Sequence, residues 1–278
     1  MISVVIPLYN AGNYIKKAVQ SVLCQDVDKE IIIIDDCSTD GTIEWFVDVL
    51  ENEFEILNKE LTGSEKNEDL STSLVWCGKI QDTPLRIYKN EENIGVAGTR
   101  NIGVRVSKGE YIALLDSDDW WEKDKLKRQL KMLEKTGAVL CNTGRELVNS
   151  DESPTGNIIE TPKKITLKQL EKSNYINCSS VLVKKEALEK YPMEHDEVHE
   201  DYLTWLRILK EYEYGVGINV PLLKYRLSKE GKSRNKFKSA IMTYKTYGYA
   251  GYGKIKSFMM MFAYTYNGFK KYKGKNLY

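Results

Sequence analysis

At 278 residues the chain can bury one sizeable core, arranged as one domain or two. Its net charge of +1 hides an asymmetry: residues 229–278 hold twelve Lys/Arg and one acid, Glu230, so this stretch carries +11 and residues 1–228 carry −10. Five scattered cysteines (Cys24, Cys37, Cys77, Cys141, Cys178), with no Cys-x-x-Cys pair, read as reduced cytosolic thiols, and no apolar run nears the ~18 residues of a membrane span.

Met1 to Leu8 lacks the basic leader of a secretory signal and is expected to be a first, buried strand ending at Tyr9-Asn10. Asn10 or Asn13 can cap a helix with Ile15, Ala18, Val19, Val22 and Leu23 on one face. Glu30–Asp35 reads as a second buried strand, and Ser38-Thr39-Asp40-Gly41 as the cap and turn of a helix carrying Ile43, Phe46, Val47, Leu50, Phe54 and Leu57. Alternation of this kind predicts an α/β fold with a mostly parallel central sheet flanked by helices.

Residues 62–83 are largely polar and are expected to form a surface insertion, partly disordered. The pattern resumes with a strand at Leu85–Tyr88, a helix over Gly95–Val106, a strand at Tyr111–Leu115, a helix near Glu122–Lys135 and a strand at Val139–Cys141. Beyond it lie a loop near 150–163, a short helix at Leu167–Leu170 and a strand over Ser179–Val183. The expected organisation is a domain over 1–228, with a nucleotide-binding half at 1–120 and an acceptor half at 121–228, followed by a helical basic tail at 229–278.

The chemistry concentrates at strand ends. The apolar run Tyr111–Leu115 stops at Asp116-Ser117-Asp118-Asp119, and ligands of open α/β sheets sit beyond the carboxyl ends of such strands. Asp116 and Asp118 can offer hard oxygens to one Mg²⁺ or Mn²⁺ that takes its remaining ligands from water and a diphosphate. Asp35-Asp36 closes the second strand at the same edge, where a carboxylate can accept from a nucleobase or ribose. Asn93 to Asn101 brings Gly95, Gly98 and Arg100 to a helix start, a geometry suited to an anionic diphosphate. Each piece has a plainer reading beside it: a solvated acidic turn, a helix cap, an exposed arginine. His195 and His199 are the only histidines, too few for a histidine-based metal or nucleophile site.

Taken together, Ser3-Val-Val-Ile-Pro7-Leu-Tyr9-Asn10, Ile34-Asp35-Asp36-Cys-Ser38-Thr-Asp40-Gly41-Thr42, Asn93-Ile-Gly95, Thr99-Arg100-Asn101-Ile-Gly103, Gly109-Glu-Tyr-Ile112 and Leu115-Asp116-Ser117-Asp118-Asp119-Trp120 resemble the family 2 glycosyltransferases of GT-A fold over residues 1 to about 235. The resemblance implies that Pro7 and Tyr9 line a nucleotide pocket, that Asp36 reads a uracil ring, and that Asn93, Gly95, Arg100 and Ser117 help hold the nucleotide. It makes Asp118 the direct ligand of Mn²⁺ or Mg²⁺, with Asp116 on the ribose or metal-bound water. In the same way His199-Glu200-Asp201-Tyr202 resembles the family's Glu-Asp pair, which implies Asp201 as the catalytic base and Glu200 as a group orienting the acceptor. Two acids at a helix start also simply favour its dipole. Tyr225-Arg226 with Lys232-Ser233 resembles a loop that closes on diphosphate, although Ser228 stands where a histidine is often found, and Arg226 suits a structural ion pair as well. Gly98, Thr99 and the long 62–83 stretch also depart from the family pattern.

The implied activity is metal-dependent, inverting transfer of a hexose or N-acetylhexosamine from a UDP-sugar to a glycan or lipid-linked acceptor, in surface polysaccharide assembly. A nucleotidyltransferase and a non-catalytic sugar-nucleotide-binding protein are the alternatives. Residues 236–273 interleave lysines with aromatic and apolar side chains, which suits an anionic membrane surface at the cytoplasmic face. A hairpin packed on the domain, or a homodimer contact, is the other reading of this tail. Nucleic acid is not an expected partner, since no recognised binding module accompanies the charge.

Overall fold

A computed structural model describes residues 1–61, 65–67, 70–227 and 236–272. The first elements follow the expected alternation: β1 (Ile2–Leu8), α1 (Tyr14–Leu23), β2 (Lys29–Asp35) and α2 (Thr42–Glu53). Every residue of β1 and β2 is buried, as strands covered on both faces require. α2 ends at Glu53, one turn before the sequence pattern suggests. Phe54 is already extended, and Leu57 is exposed on the next strand instead of lying on the helix.

That strand, β3 (Ile56–Leu61), belongs to a sheet edge which replaces the expected insertion. It is followed by β4 (Glu65–Asn67), β5 (Thr72–Ile80) and β6 (Thr83–Asn90), with β5 antiparallel to β6. Residues 70–83 are thus ordered sheet, anchored by the buried Trp76 and Ile80. Gln81 and Asp82 both take positive φ, the conformation of a two-residue hairpin turn. Thr62, Gly63 and Ser64 lie outside the described residues.

α3 (Gly95–Val106) lies against β1, where a Cβ on Gly103 would come within 2.2 Å of Val5 Cγ1. Next come β7 (Tyr111–Leu114), the short β8 (Trp120–Trp121), α4 (Lys125–Thr136), β9 (Leu140–Val148) and β10 (Pro154–Ile159). The loop expected near 150–163 therefore holds a strand at its centre, because β10 pairs antiparallel with a long β9. β11 (Lys164–Thr166) and α5 (Leu167–Leu170) precede a 3-10 turn at Cys178–Ser180, β12 (Leu182–Lys184) and α6 (Lys185–Lys190). α7 (Glu200–Glu211) and β13 (Tyr214–Arg226) complete the second half.

The sheet order is β11-β13-β9-β12-β7-β1-β2-β6-β5-β3. Its centre, β7-β1-β2-β6, is parallel as expected. Outside that centre the sheet is mixed: β12 runs antiparallel between β7 and β9, β13 runs parallel to β9 with β11 antiparallel at its outer side, and β5 is antiparallel to both β6 and β3.

The tail forms α8 (Lys236–Tyr249) and α9 (Lys254–Tyr272), with Gly251 at φ +89 between them. Both pack on the second half. Tyr247 is fully buried, its hydroxyl 2.9 Å from that of Tyr202 and donating to Glu171 O at 2.7 Å. Among the described residues no helix is long and apolar enough to cross a membrane.

Candidate active site

Parallel pairing brings the carboxyl ends of three strands to one edge. Leu8 lies opposite Asp35, and Val5 opposite Leu114, with Leu115 N donating to Val5 O at 3.1 Å. Pro7 is buried within β1, while Tyr9, just past its end, is 52% exposed. Asp35 is fully buried and accepts from Ser38 N, so burial raises its pKa and its role is to hold the loop. Asp40 has a structural role in the turn before α2, accepting from Thr42 N at 3.0 Å, while Gly41 with φ +78 is the residue at the helix cap.

Asp36 does something the sequence did not announce. Its Oδ1 accepts from Ile94 N at 2.9 Å and Asn90 Nδ2 at 3.0 Å, and its Oδ2 from Gly95 N at 3.0 Å, while Asn93 Nδ2 donates to Asp36 O at 3.2 Å. The end of β2 is thereby bonded to the start of α3. Asp196 arrives from the second half and accepts from Ala97 N at 3.2 Å. Gly95 has φ +82, and a Cβ there would lie 2.2 Å from Asp196 Oδ2. The first N–H groups of α3, which the glycine pattern suggested for a diphosphate, thus face two protein carboxylates, and a further anion at that point would be repelled by both.

The acidic turn after β7 is held from beneath. Asp119 is buried and accepts from Arg226 N at 2.9 Å. Arg226 Nε donates to Asp118 O at 2.8 Å, Nη1 to Ser150 O at 2.7 Å and Nη2 to Glu152 Oε1 at 3.0 Å, and its guanidinium lies over the rings of Tyr14 and Trp120. Arg226 is only 3% exposed, so it braces the turn instead of reaching into the cleft. Lys232, Ser233 and Ser228 lie outside the described residues. Asp116, Ser117 and Asp118 remain partly accessible. Burial, with Asp116 beside it, pushes the Asp118 carboxyl up to about 6.

One side chain of α3 joins this turn to the start of α7, the helix that follows Val198. Arg100, 5% exposed on α3, donates Nη2 to Asp116 Oδ1 at 2.6 Å and Nη1 to Glu200 Oε1 at 3.2 Å. Glu200 and Asp201 open α7, and Asp201 Oδ1 accepts from Tyr202 N at 2.7 Å. Burial, reinforced by the Glu200 charge, pushes Asp201 up to about 7. Ser179 Oγ accepts from Asp116 N at 3.1 Å, and beside it burial raises the Cys178 thiol well above its ordinary value. The arginine expected on the nucleotide is therefore the bridge between the acidic turn and the Glu-Asp pair.

Of the residues singled out in the sequence, Arg100, Asp116 and Glu200 are in direct contact, Asp118 lies two positions beyond Asp116, and Asp201 directly follows Glu200. Asp119, Ser179 and Asp196 were missed as site residues. Asp119 was legible in the acidic run, while Ser179 and Asp196 carry no local signal. His195 stacks on Tyr249 at 3.8 Å, and His199 Nε2 is 3.2 Å from Ser239 Oγ, so both histidines sit where the tail meets α7.

The family model described as Glycosyl transferase family 2 matches residues 3–191. A putative teichuronic acid biosynthesis glycosyltransferase, TuaG of Bacillus subtilis (strain 168), is 34% identical over 248 residues, 89% of this chain and 87% of that protein. The Escherichia coli UDP-Glc:alpha-D-GlcNAc-diphosphoundecaprenol beta-1,3-glucosyltransferase WfgD is 31% identical over 243 residues, 86% of this chain and 81% of its own. Among solved structures, the mannosyltransferase PcManGT from Pyrobaculum calidifontis, in complex with GDP-Man and Mn²⁺, superposes with a TM-score of 0.65 at 17% identity, covering 97% of this chain and 70% of that one.

Proposed function

Because this chain belongs to glycosyl transferase family 2, we propose that it transfers a hexose or N-acetylhexosamine, with inversion and with a divalent cation, from a UDP-sugar to a lipid-linked saccharide. The setting is surface polysaccharide assembly at the cytoplasmic face of a membrane. UDP-glucose and a diphosphoundecaprenol-linked sugar stand in the name of WfgD, which supports this donor and acceptor class.

The observation that carries the reading is the Arg100 bridge from Asp116 to Glu200, since it fastens the turn suited to a donor diphosphate to the helix suited to an acceptor. Asp118 and Asp116 fit a hard divalent cation: they stand two residues apart on one turn and are partly accessible, and burial with the Asp116 charge already holds Asp118 above the usual carboxylate range. No group of three or more metal-binding side chains occurs among the described residues, which suits Mg²⁺ or Mn²⁺ completing its shell with water and phosphate. When bound, the cation supplies charge neutralisation on the departing diphosphate.

The chain's own groups do the rest. Tyr9 and Pro7 border the nucleotide side, with Ser117 on the turn itself. Asp36 presents its remaining acceptor capacity beside the α3 start, where it would meet a base N–H. Asp201, poised at about 7 by burial, takes the proton of the attacking acceptor hydroxyl, which a carboxylate with an ordinary pKa would do less readily at neutral pH. Glu200, fixed by Arg100, orients that hydroxyl.

The test is UDP release from a panel of UDP-sugars, with GDP-mannose as control, in Mn²⁺ or Mg²⁺ and with a lipid-linked saccharide present. Turnover that chelation abolishes, and that Asp118→Ala and Asp201→Asn each lose, is expected. Release that persists in chelator, or in Asp201→Asn, overturns the assignment.

A further inference from the structure

α9 has two unlike faces. On one, Ser257 is buried, Met260 and Tyr264 pack against the core of the second half, and Asn267 Nδ2 donates to Lys172 O at 3.0 Å. On the other, Ile255, Phe258, Met259, Phe262 and Tyr266 recur at i, i+3, i+4, i+7 and i+11, and are 53% to 81% exposed. The Phe258 and Phe262 rings meet edge to face, 4.8 Å apart, so the ridge is continuous there. On α8, Phe237 and Ile241 are themselves 78% and 43% exposed. A contiguous apolar ridge of this kind marks a contact surface, whereas single exposed apolar residues need no explanation.

The charge around the ridge says what the contact is. Residues 236–272 contain seven lysines and no acid, and Lys254 and Lys256 are exposed in the first turn of α9. We propose that this face of α9 docks on an anionic bilayer, with its apolar side chains entering the headgroup boundary and its lysines meeting lipid phosphates. A second copy of the chain on the same ridge would instead oppose two sets of lysines with no acids to pair them. The inference deepens the proposed setting at a membrane face, and it rests on that reading only for its purpose.

The hairpin is also tied to the site. His199, immediately before Glu200, donates its N–H to Thr246 Oγ1 at 3.4 Å, and its ring is bonded to Ser239 on α8. A docked α9 therefore holds the start of α7 in a set relation to the bilayer from which a lipid-linked acceptor projects.

The test uses the full chain, without donor or acceptor, in flotation with vesicles of phosphatidylglycerol and phosphatidylcholine or of phosphatidylcholine alone. Binding to the anionic vesicles is expected, weakened by high salt. Phe258→Gln with Phe262→Gln should lower partitioning at least about tenfold, and Lys254→Gln with Lys256→Gln about tenfold at low salt. Both pairs should keep the wild-type melting temperature, since the side chains are exposed. The proposal is overturned if the full chain ignores anionic vesicles, if the phenylalanine variant binds them equally, or if light scattering shows a dimer which that variant dissolves. With no sugar nucleotide present, a failure here leaves the transferase reading intact, and a failure of UDP release leaves this result standing.

Discussion

Arg100 donates to Asp116 at 2.6 Å from a position almost sealed from solvent. The same guanidinium reaches Glu200, so one planar fork holds two carboxylates that belong to different halves of the chain. Arg100→Lys keeps the charge but cannot span both partners. Turnover is expected to fall about 100-fold, the scale of a small misplacement of reacting groups, with UDP affinity in Mn²⁺ changing far less. Steady-state kinetics beside calorimetric UDP titration separate the two. Equal losses in both would place Arg100 on the nucleotide instead.

Asp201 should govern the pH dependence. A base must be deprotonated to act, so with its carboxyl near 7 the rate is expected to climb through about pH 6–8 and level off above. Asp201→Asn should lose about 100-fold to 10,000-fold in turnover, the usual range for removing a general base. UDP binding in Mn²⁺ should survive. A rate profile flat from pH 5.5 to about 8 would remove Asp201 from this role.

Gly95→Ala is expected to destabilise the fold by at least about 2 kcal/mol. The positive φ alone costs about 1–2 kcal/mol for a residue with a Cβ, and the added methyl strikes Asp196. In an Asp196→Ala background the penalty should shrink to the backbone part, and denaturant unfolding of all four combinations reads the coupling.

Tyr247→Ala should cost about 3 kcal/mol, because it removes a fully buried ring and leaves the Tyr202 hydroxyl without one of its two partners. The tail is then expected to unfold together with the domain in one transition. A separate, earlier transition confined to residues 236–272, visible by hydrogen exchange, would make α8 and α9 an independent unit.

Lys125 links stability to pH through a different mechanism. It is fully buried against the Trp121 ring and donates to Gln129 Oε1 at 2.8 Å, and burial lowers its pKa from 10.5 to about 7. Below pH 7 both folded and unfolded chains hold this proton, and the cost of burying the charge is fully present. Above it the unfolded chain binds more protons, so stability should rise by about 1.4 kcal/mol per pH unit from this group. The Cys141 thiol, pushed up to about 12 by burial, acts in the opposite sense once free thiols ionise near pH 8.5. Lys125→Met should therefore be the more stable form near pH 6, with the gap to wild type closing between about pH 7 and 8.5 in thermal melts.

Local patterns in the chain were enough for much of this architecture. The apolar runs within β1 and β2, the helical spacing in α1 and α3, and the acids that follow β2 and β7 place a nucleotide-type edge without any contact information, because strand burial and helix amphipathicity act over a few residues. The β5–β6 hairpin escaped this reading since Gln81-Asp82 is not a usual turn pair and a bulge near Trp76 breaks the alternation. β10 escaped because its residues alternate between exposed and half-buried, with only the last buried.

What the chain order could not decide is who meets whom across about a hundred residues. Glu200 is 100 positions from Arg100, Arg226 is 107 from Asp119, and Asp196 is 99 from Ala97. The Arg226 pairing follows from β13 running antiparallel beside β8, and the other two from residues 196–200 coming against α3. A buried arginine takes whichever carboxylates the folded core leaves within reach, since an unpaired buried charge costs far more than either bond returns. The residue types were written in the sequence, whereas their partners, and so the passage from an anion-binding reading of Arg100 and Arg226 to a bracing one, came only with the tertiary structure.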